Sequence, residues 1–459
     1  MRQPQPFICG VVEGFYGRPW SANQRSQLFA WMQSWRLNTY LYAPKDDLKH
    51  RTCWRDPYSN MELAALRDLI AGCRRRRLRF AYAIAPGLDV EHSSPADAAT
   101  LRRKISQLLR IGCRHFAILF DDIAPKLSPV DLRRFGSVAA AQSHVANELF
   151  RFLQSRKQET TLMFCPTAYC GRMCRPSVKD SGYLREIGAR LNASIQVLWT
   201  GPEIVSEAIT VESVRELRSV IRRKPLLWDN IHANDYDLRR LYLGPYAGRP
   251  VALRKEVRGI LSNPNCEFEA NFVPLRTLAT YARSTRGWNP HKASRLALME
   301  WLPQWRCRGQ KIQFTDLKLL ADCFHLPYSE GETARRWMKD LHYLLRTDPS
   351  GWGPAQGRVE HICTRLQTLF TKMTALENRE LLHVFYRRVW ELKEEAALIR
   401  DYLAWLRSRP GLRKTFSSDE HRPGTYRGGL VAQLQRILPL DKTGTINHRL
   451  GSSAKGANG

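Results

Sequence analysis

The sequence predicts an α/β chain, a (β/α)8 barrel of the TIM type followed by a smaller all-α domain. Three observations carry this reading. Eight short apolar, β-branched runs recur every 30 to 46 residues: Phe7 to Val12, Thr39 to Ala43, Phe80 to Ala85, His115 to Phe120, Thr161 to Cys165, Ile195 to Leu198, Pro225 to Trp228 and Gly259 to Ser262. A strand with its crossover helix takes about 30 residues or more, so the interval fits repeated βαβ units. Eight such units close into a barrel, for which about 250 residues is typical. An open doubly wound sheet is the alternative, but no Gly-x-Gly-x-x-Gly turn follows an early strand. Beyond about residue 310 the strand pattern disappears and helical spacing takes over.

Amphipathic segments separate the early strands, as in Gln24 to Trp35, Glu62 to Cys73 and Ala98 to Ile111. Asn289 and Pro290 read as an N-cap with proline in the first turn, opening a helix through Trp301 that would finish the barrel. Residues 1–305 are thus expected to form the catalytic barrel and 310–440 the helical domain. Helices are expected over Asp316 to Phe324, Thr333 to Leu345, Val359 to Leu376 and Glu380 to Leu406. The last carries Leu382, Phe385, Tyr386, Val389, Ala396, Ile399, Leu403 and Leu406 at steps of three, four or seven, a wide apolar stripe that needs partner helices. The small polar tail over 450–459 should be disordered.

With 459 residues, 43% of them hydrophobic, the chain can bury one large core and a smaller one. No apolar run is long enough to cross a bilayer, and the N-terminal MRQPQPFICG lacks the apolar region of a signal peptide. The 11 cysteines are odd in number and scattered, which suits free thiols in a reducing, intracellular compartment. Cys165, Cys170 and Cys174 match no common zinc spacing, so no metal or other cofactor is expected. The net charge of +29, with the run Arg74 to Arg77, raises the question of a polyanionic partner. The arginines are spread along the whole chain and no nucleic-acid module is visible, so no specific nucleic-acid recognition is expected.

Barrel enzymes place their reacting groups at the C-terminal ends of the strands. The polar groups there are Glu13 and Gly14 after the first strand, and Lys45, Asp46 and Asp47 after the second. Asp121 and Asp122 follow the fourth, Tyr169 the fifth, Trp228, Asp229 and Asn230 the seventh, and Asn263 the eighth. The stretch HFAILFDD is the most informative, because it ends a buried strand in two carboxylates. On a regular strand neighbours point to opposite sides, so both serve one site only if the strand ends or twists there. Close carboxylates also resist joint ionisation, which can raise one toward a general acid. The plainer alternative has one Asp capping the next helix and the other in a surface pair. Tyr16, Tyr169, Trp199 and Trp228 near the same mouth favour a sugar ring, although each alone is more often a core residue.

The motifs GVVEGFYGRPW, LNTYLYAPKDDLKHR, YAIAPGLD, FAILFDDI, CPTAYCG, LWTGP, WDNIHANDYD and NPNCEFEAN together resemble the O-GlcNAcase family, glycoside hydrolase family 84. The likeness spans the predicted barrel, with weaker echoes in LADCFHLPY, VWELK and TYRGGL. The resemblance implies a (β/α)8 catalytic domain with a helical stalk that removes single β-linked N-acetylglucosamine from serine and threonine of nuclear and cytoplasmic proteins. It implies substrate-assisted catalysis: the acetamido oxygen attacks its own anomeric carbon, an oxazoline forms, and configuration is retained. Asp121 would orient and polarise the acetamido N–H, and Asp122 would protonate the leaving hydroxyl and then activate water. The backbone of Gly14, with Lys45, Asn230, Asp235 and Asn263, would hydrogen-bond the sugar hydroxyls or the acetamido group. Tyr169 would steady the oxazoline and Trp228 would wall the N-acetyl pocket.

The resemblance also implies a homodimer through the stalk, with Trp390 the position to watch for a contact to the partner's substrate. The chain departs from the usual CPTEYCG by Ala168, which removes a carboxylate from the edge of the cleft. It also reads as a compact form, without the insert and the acetyltransferase-like domain of larger members. Two other readings stand beside this one: a glycan-binding or scaffold relative with poor turnover, and a basic nucleic-acid-binding protein on a barrel scaffold.

Overall fold

The structure, a computed structural model, describes residues 6–156, 158–285, 287–408, 415–418, 421 and 428–447. The tail over 450–459 and Thr425 to Arg427 of TYRGGL lie outside these residues. The chain forms two units, Met1–Tyr236 with Pro245–Ala293, and Asp237–Gly244 with Ser294–Gly459.

In the first unit eight parallel strands close into a barrel in chain order. They are β1 (Ile8–Glu13), β2 (Thr39–Tyr42), β3 (Arg79–Ile84), β4 (His115–Leu119), β5 (Thr161–Cys165), β6 (Gln196–Trp199), β7 (Leu226–Asp229) and β8 (Gly259–Ser262). The predicted barrel is borne out, and each strand end falls within one residue of its expected place. β1 seals the ring between β2 and β8, and the seam leaves no room for side chains at two glycines. A Cβ on Gly10 would stand 1.7 Å from the Thr39 carbonyl oxygen, and one on Gly259 would stand 2.2 Å from that of Ile8. Val12, Leu41, Ala83, Leu119 and Leu261 fill the interior, which makes the barrel a packed core rather than a pore.

Helices Ala22–Ser34, Asn60–Arg75 and Pro95–Arg110 follow the first three strands. Each starts at a serine, Ser21, Ser59 or Ser94, whose hydroxyl accepts a main-chain N–H of the first turn. Such a cap contributes about 1 kcal/mol. Two helices, Pro129–Phe135 and Val138–Gln154, fill the link to β5. Two expectations need correction. The link from β7 to β8 holds no α-helix among its residues, only the 3-10 turn Val251–Lys255. The helix that follows β8 is Phe272–Arg283, eight of whose twelve residues are buried. Asn289 does cap the next helix, accepting from the Lys292 N–H at 2.9 Å, but Pro290–Trp301 runs on into the second unit at Ser294.

The second unit is built on helices Phe314–Cys323, Glu332–Arg346, Gly353–Met373, Arg379–Arg407 and Gly429–Ile437. Trp337, Leu341, Val359, Leu366, Leu392, Ile399 and Leu403 share its core. Seven members of the predicted stripe on Arg379–Arg407 are buried, whereas Tyr386 is 43% exposed. The strand pattern does not vanish entirely after residue 310, because Thr415–Ser417 pairs antiparallel with Thr445–Asn447. Three-residue strands carry too little alternation to be read from sequence.

His115 opens β4, with its Nδ1 2.9 Å from the Thr161 hydroxyl oxygen. Burial, aided by the Arg79 and Arg114 guanidinium groups, lowers its pKa from the ordinary 6.5 to about 4. The unfolded chain therefore takes up this proton first. The contribution of neutral His115 is complete above pH 6.5 and is lost as pH falls toward 4, about 3 kcal/mol in all. Urea unfolding near neutrality and near pH 4 should show a larger acid loss in the wild type than in His115→Gln. Equal losses would place the acid sensitivity elsewhere.

Candidate active site

Asp121 lies two residues beyond Leu119 and keeps the inward side of β4, where Ala117 and Leu119 face the barrel interior. Its Oδ2 pairs with the Lys45 ammonium, which reaches in from the end of β2, and the two side chains are 10% and 2% exposed. Asp122 would point outward on a continued strand. Its backbone instead turns left-handed, with φ +54°, a conformation that costs about 1 to 2 kcal/mol outside glycine. The turn brings the Asp122 carboxylate to the same mouth. Tyr169 donates to its Oδ1 at 2.8 Å and Tyr16 to its Oδ2 at 2.9 Å. Arg51 secures the turn from behind, its guanidinium donating to the Asp121 carbonyl at 3.5 Å and the Asp122 carbonyl at 3.1 Å.

These surroundings treat the ionisable groups differently. Burial works to raise the Asp121 carboxyl, but the Lys45 charge and hydrogen bond, with Arg51 beyond, bring it below the ordinary carboxylate value. Burial holds Asp235 above its ordinary value, against the hydrogen bond its Oδ2 accepts from the Tyr16 N–H at 2.9 Å. Burial and the neighbouring Asp122 push the Tyr16 and Tyr169 hydroxyls far up, so both stay protonated donors.

The opposite wall is apolar. The Trp228 indole donates to Asn230 Oδ1 at 3.0 Å, and the Asn263 amide donates to the same oxygen at 3.0 Å. Gly14 lies flat against this ring, since a Cβ there would stand 2.2 Å from it. The Lys45 ammonium sits 6.0 Å from the Trp228 ring and 5.7 Å from that of Tyr16.

All nine residues singled out in the sequence line one open cavity: Gly14, Lys45, Asp121, Asp122, Tyr169, Trp228, Asn230, Asp235 and Asn263. Tyr16 and Trp199 line it as well. Other strand-end residues go elsewhere. Glu13 is wholly buried and accepts from the Trp20 N–H at 3.0 Å and twice from Arg25, at 2.9 and 2.7 Å. Asp229 is wholly buried against Arg249, at 2.8 and 2.7 Å, and Tyr246, at 2.7 Å. Asp47 accepts the Tyr42 and Tyr58 hydroxyls at 2.8 Å, and Asp46 is exposed. Arg51, Cys165, Thr200 and Tyr236 also reach the site. Each of the four lies inside a quoted motif, LNTYLYAPKDDLKHR, CPTAYCG, LWTGP and WDNIHANDYD in turn, but none was singled out for the site. Ala168 faces a second, more apolar cavity beside Asp122, with Ile123, Met173 and Tyr183. Among the described residues no group of three His, Cys, Asp or Glu side chains is arranged to hold a metal ion, and all eleven cysteines are free.

Three acceptor oxygens in the cavity, Asp121 Oδ1, Asp235 Oδ1 and Asn263 Oδ1, are buried with no donor among the described residues. A buried acceptor without a donor costs about 1 to 3 kcal/mol. Here they converge on one space walled by tryptophan, which suits a ligand that carries several O–H and N–H donors on an apolar ring. A closed parallel barrel with this mouth is that of a (β/α)8-barrel glycoside hydrolase. A family model described as beta-N-acetylglucosaminidase matches residues 9–312. The protein O-GlcNAcases of rat and mouse are each 31% identical to this chain, over 95% of it and 70% of their own length. A mutant O-GlcNAc hydrolase from Thermobaculum terrenum aligns with a TM-score of 0.78 and 26% identity over 94% of this chain and 88% of its own. The chain belongs to the β-N-acetylglucosaminidase family of protein O-GlcNAcases.

Removing the Lys45 charge leaves the desolvation of Asp121 unopposed. In Lys45→Met the acidic limb of kcat/KM for an aryl β-N-acetylglucosaminide should move to higher pH, with activity near neutrality at least about tenfold lower. An unmoved limb would show that Lys45 does not hold Asp121 ionised.

Proposed function

We propose that the chain removes β-linked N-acetylglucosamine from serine and threonine of proteins, with retention, by substrate-assisted catalysis. The observation that carries this reading is the unequal treatment of two adjacent carboxylates. Asp121 is held ionised by Lys45, with Oδ1 left as a free acceptor, whereas Asp122 stands exposed between two phenols and can exchange protons with a substrate oxygen.

Asp121 Oδ1 accepts the acetamido N–H, which increases electron density on the acetamido oxygen. That oxygen forms a bond to the anomeric carbon as the bond to the serine or threonine oxygen breaks. Asp122 delivers its proton to the departing oxygen. In the second half Asp122 takes a proton from water, the water oxygen bonds to the anomeric carbon, and the oxazoline ring opens. Two inversions give retention, with the substrate supplying the nucleophile that most glycosidases supply from a second carboxylate. The Tyr169 hydroxyl steadies the oxazoline, and Trp228 walls the N-acetyl group against Gly14. Lys45, Asn230, Asp235 and Asn263 hold the hydroxyls and the acetamido group. No cofactor enters any step.

Two further features belong to this reading. The long helix Arg379–Arg407 presents Tyr386 and Trp390, each 43% exposed and four residues apart on one face, which supports a homodimer through the helical unit. Eleven free thiols support a reducing compartment, cytoplasm or nucleus. Ala168, in place of the usual glutamate, favours the second reading, a glycan-binding relative with weak turnover.

Hydrolysis of an aryl β-N-acetylglucosaminide, with the first-formed sugar anomer followed by NMR, separates the two. The β-anomer should appear first, and Asp122→Asn should lower the rate by about 100-fold to 10,000-fold, with the smallest loss on the best leaving groups. A folded wild type that binds N-acetylglucosamine without turning over the glycoside would establish the second reading instead. For the dimer, light scattering should show two copies in the wild type and one in Trp390→Asp; a wild type that is monomeric at micromolar concentration would remove it.

A further inference from the structure

Four residues other than glycine adopt a positive φ among the described residues. One is Asp122 at the mouth. The other three are arginines: Arg36 at φ +60°, Arg77 at +59° and Arg222 at +58°. They stand in equivalent places, each in the turn that enters a strand from the preceding helix, before β2, β3 and β7. These turns form the N-terminal end of the barrel, opposite the catalytic mouth. The corresponding turn before β4 has Gly112, φ +100°, the residue that this conformation favours. Strain kept at three related positions in favour of a cationic side chain points to a use for the charge.

The rest of this end agrees. Arg74, Arg75, Arg110 and Lys224 are exposed in the same turns or at the helix ends that lead into them. Among the described residues the turns contain two carboxylates, Glu159 and Glu256, and Glu256 is held at 3.0 Å by both Arg215 and Arg218. Arg36, Arg77 and Arg222 pair with no carboxylate among the described residues. Like charges crowd one another here: burial and then Arg276 and Arg36 lower the Arg283 guanidinium, and burial and then Arg79 lower that of Arg258. None of the large hydrophobic side chains found exposed lies in these turns. A bilayer surface would want apolar anchors and a tight protein partner an aromatic or aliphatic centre. A polyphosphate needs neither, and guanidinium groups match its oxygens in bidentate pairs.

We infer that the N-terminal end of the barrel binds the backbone phosphates of nucleic acid without regard to sequence, independently of the catalytic mouth. The enzyme would thereby be concentrated near nucleic-acid-bound substrates while its cavity stays open.

The test is fluorescence anisotropy of a labelled mixed-sequence duplex across about 50 to 200 mM KCl, with affinity expected to fall steeply, by about 0.9 log unit per log unit of salt for each phosphate engaged. The variant Arg36→Gly, Arg77→Gly, Arg222→Gly should melt no lower than the wild type, and its slope should be smaller by about two to three. The matching triple lysine variant should keep the wild-type slope. A second variant outside the left-handed positions, Arg75→Gln with Lys224→Gln, should lower the slope by about one to two. Saturating duplex should leave aryl glycoside hydrolysis unchanged. The inference is overturned if the wild type shows no salt-dependent binding, if the glycine variant binds as the wild type does, if anionic vesicles bind and the duplex does not, or if duplex competes with substrate.

Discussion

Asp121 and Asp122 are joined by one peptide bond, and on a regular strand their carboxylates would diverge to opposite sides of the barrel wall. The left-handed turn at Asp122 removes that divergence, and most of the mouth is arranged to hold it. Arg51 binds both carbonyls of the turn, and Tyr16 and Tyr169 each take one oxygen of the redirected carboxylate. The strain is local, and it is met by hydrogen bonds from three separate parts of the chain. Asp121 keeps the register of β4 and faces the interior, so the pair reaches the cavity from two directions.

The barrel end contains more carboxylates than the chemistry needs, and the structure sorts them by partner. Glu13 and Asp229 each lie next to a site residue, yet each is fully buried and engaged with an arginine, Arg25 or Arg249, and with a tyrosine, Tyr40 or Tyr246. A buried charge without such partners would be very costly, so these two serve to anchor strand ends. Asp121 has only one of its oxygens engaged in this way, by Lys45, and Asp235 only one, by Tyr16. The oxygens left over, with that of Asn263, are what a polyhydroxylated, amide-bearing ring can satisfy.

The two ends of the barrel therefore differ in kind. The mouth carries carboxylates, phenols and indoles around a cavity. The floor carries guanidinium groups on short turns, three of them in a conformation that glycine would adopt more easily. The high positive charge of the chain is thus not uniformly a solvated coat, because part of it is fixed in place at some expense to the backbone.

The sequence by itself determined the barrel, its eight strands to within one residue, and the cavity's main residues. Strand runs at a regular interval encode a (β/α)8 closure, and strand ends encode the mouth. It also determined the capped helix at Asn289 and the long helix of the second unit, where periodicity is strong. Only the tertiary structure decided that Glu13 and Asp229 turn away from the cavity, since their arginine partners are 12 and 20 residues away and follow no local pattern. It alone placed Arg51 behind the turn at Asp122, exposed Tyr386 on an otherwise buried stripe, and ended the barrel with Phe272–Arg283 instead of Pro290–Trp301. Backbone dihedrals are equally silent in a sequence: Arg36, Arg77 and Arg222 read as ordinary surface charges until the fold sets them in left-handed turns at one end. Periodicity records which way a side chain faces along one element, whereas partner choice and strain arise only when elements from distant parts of the chain are packed together.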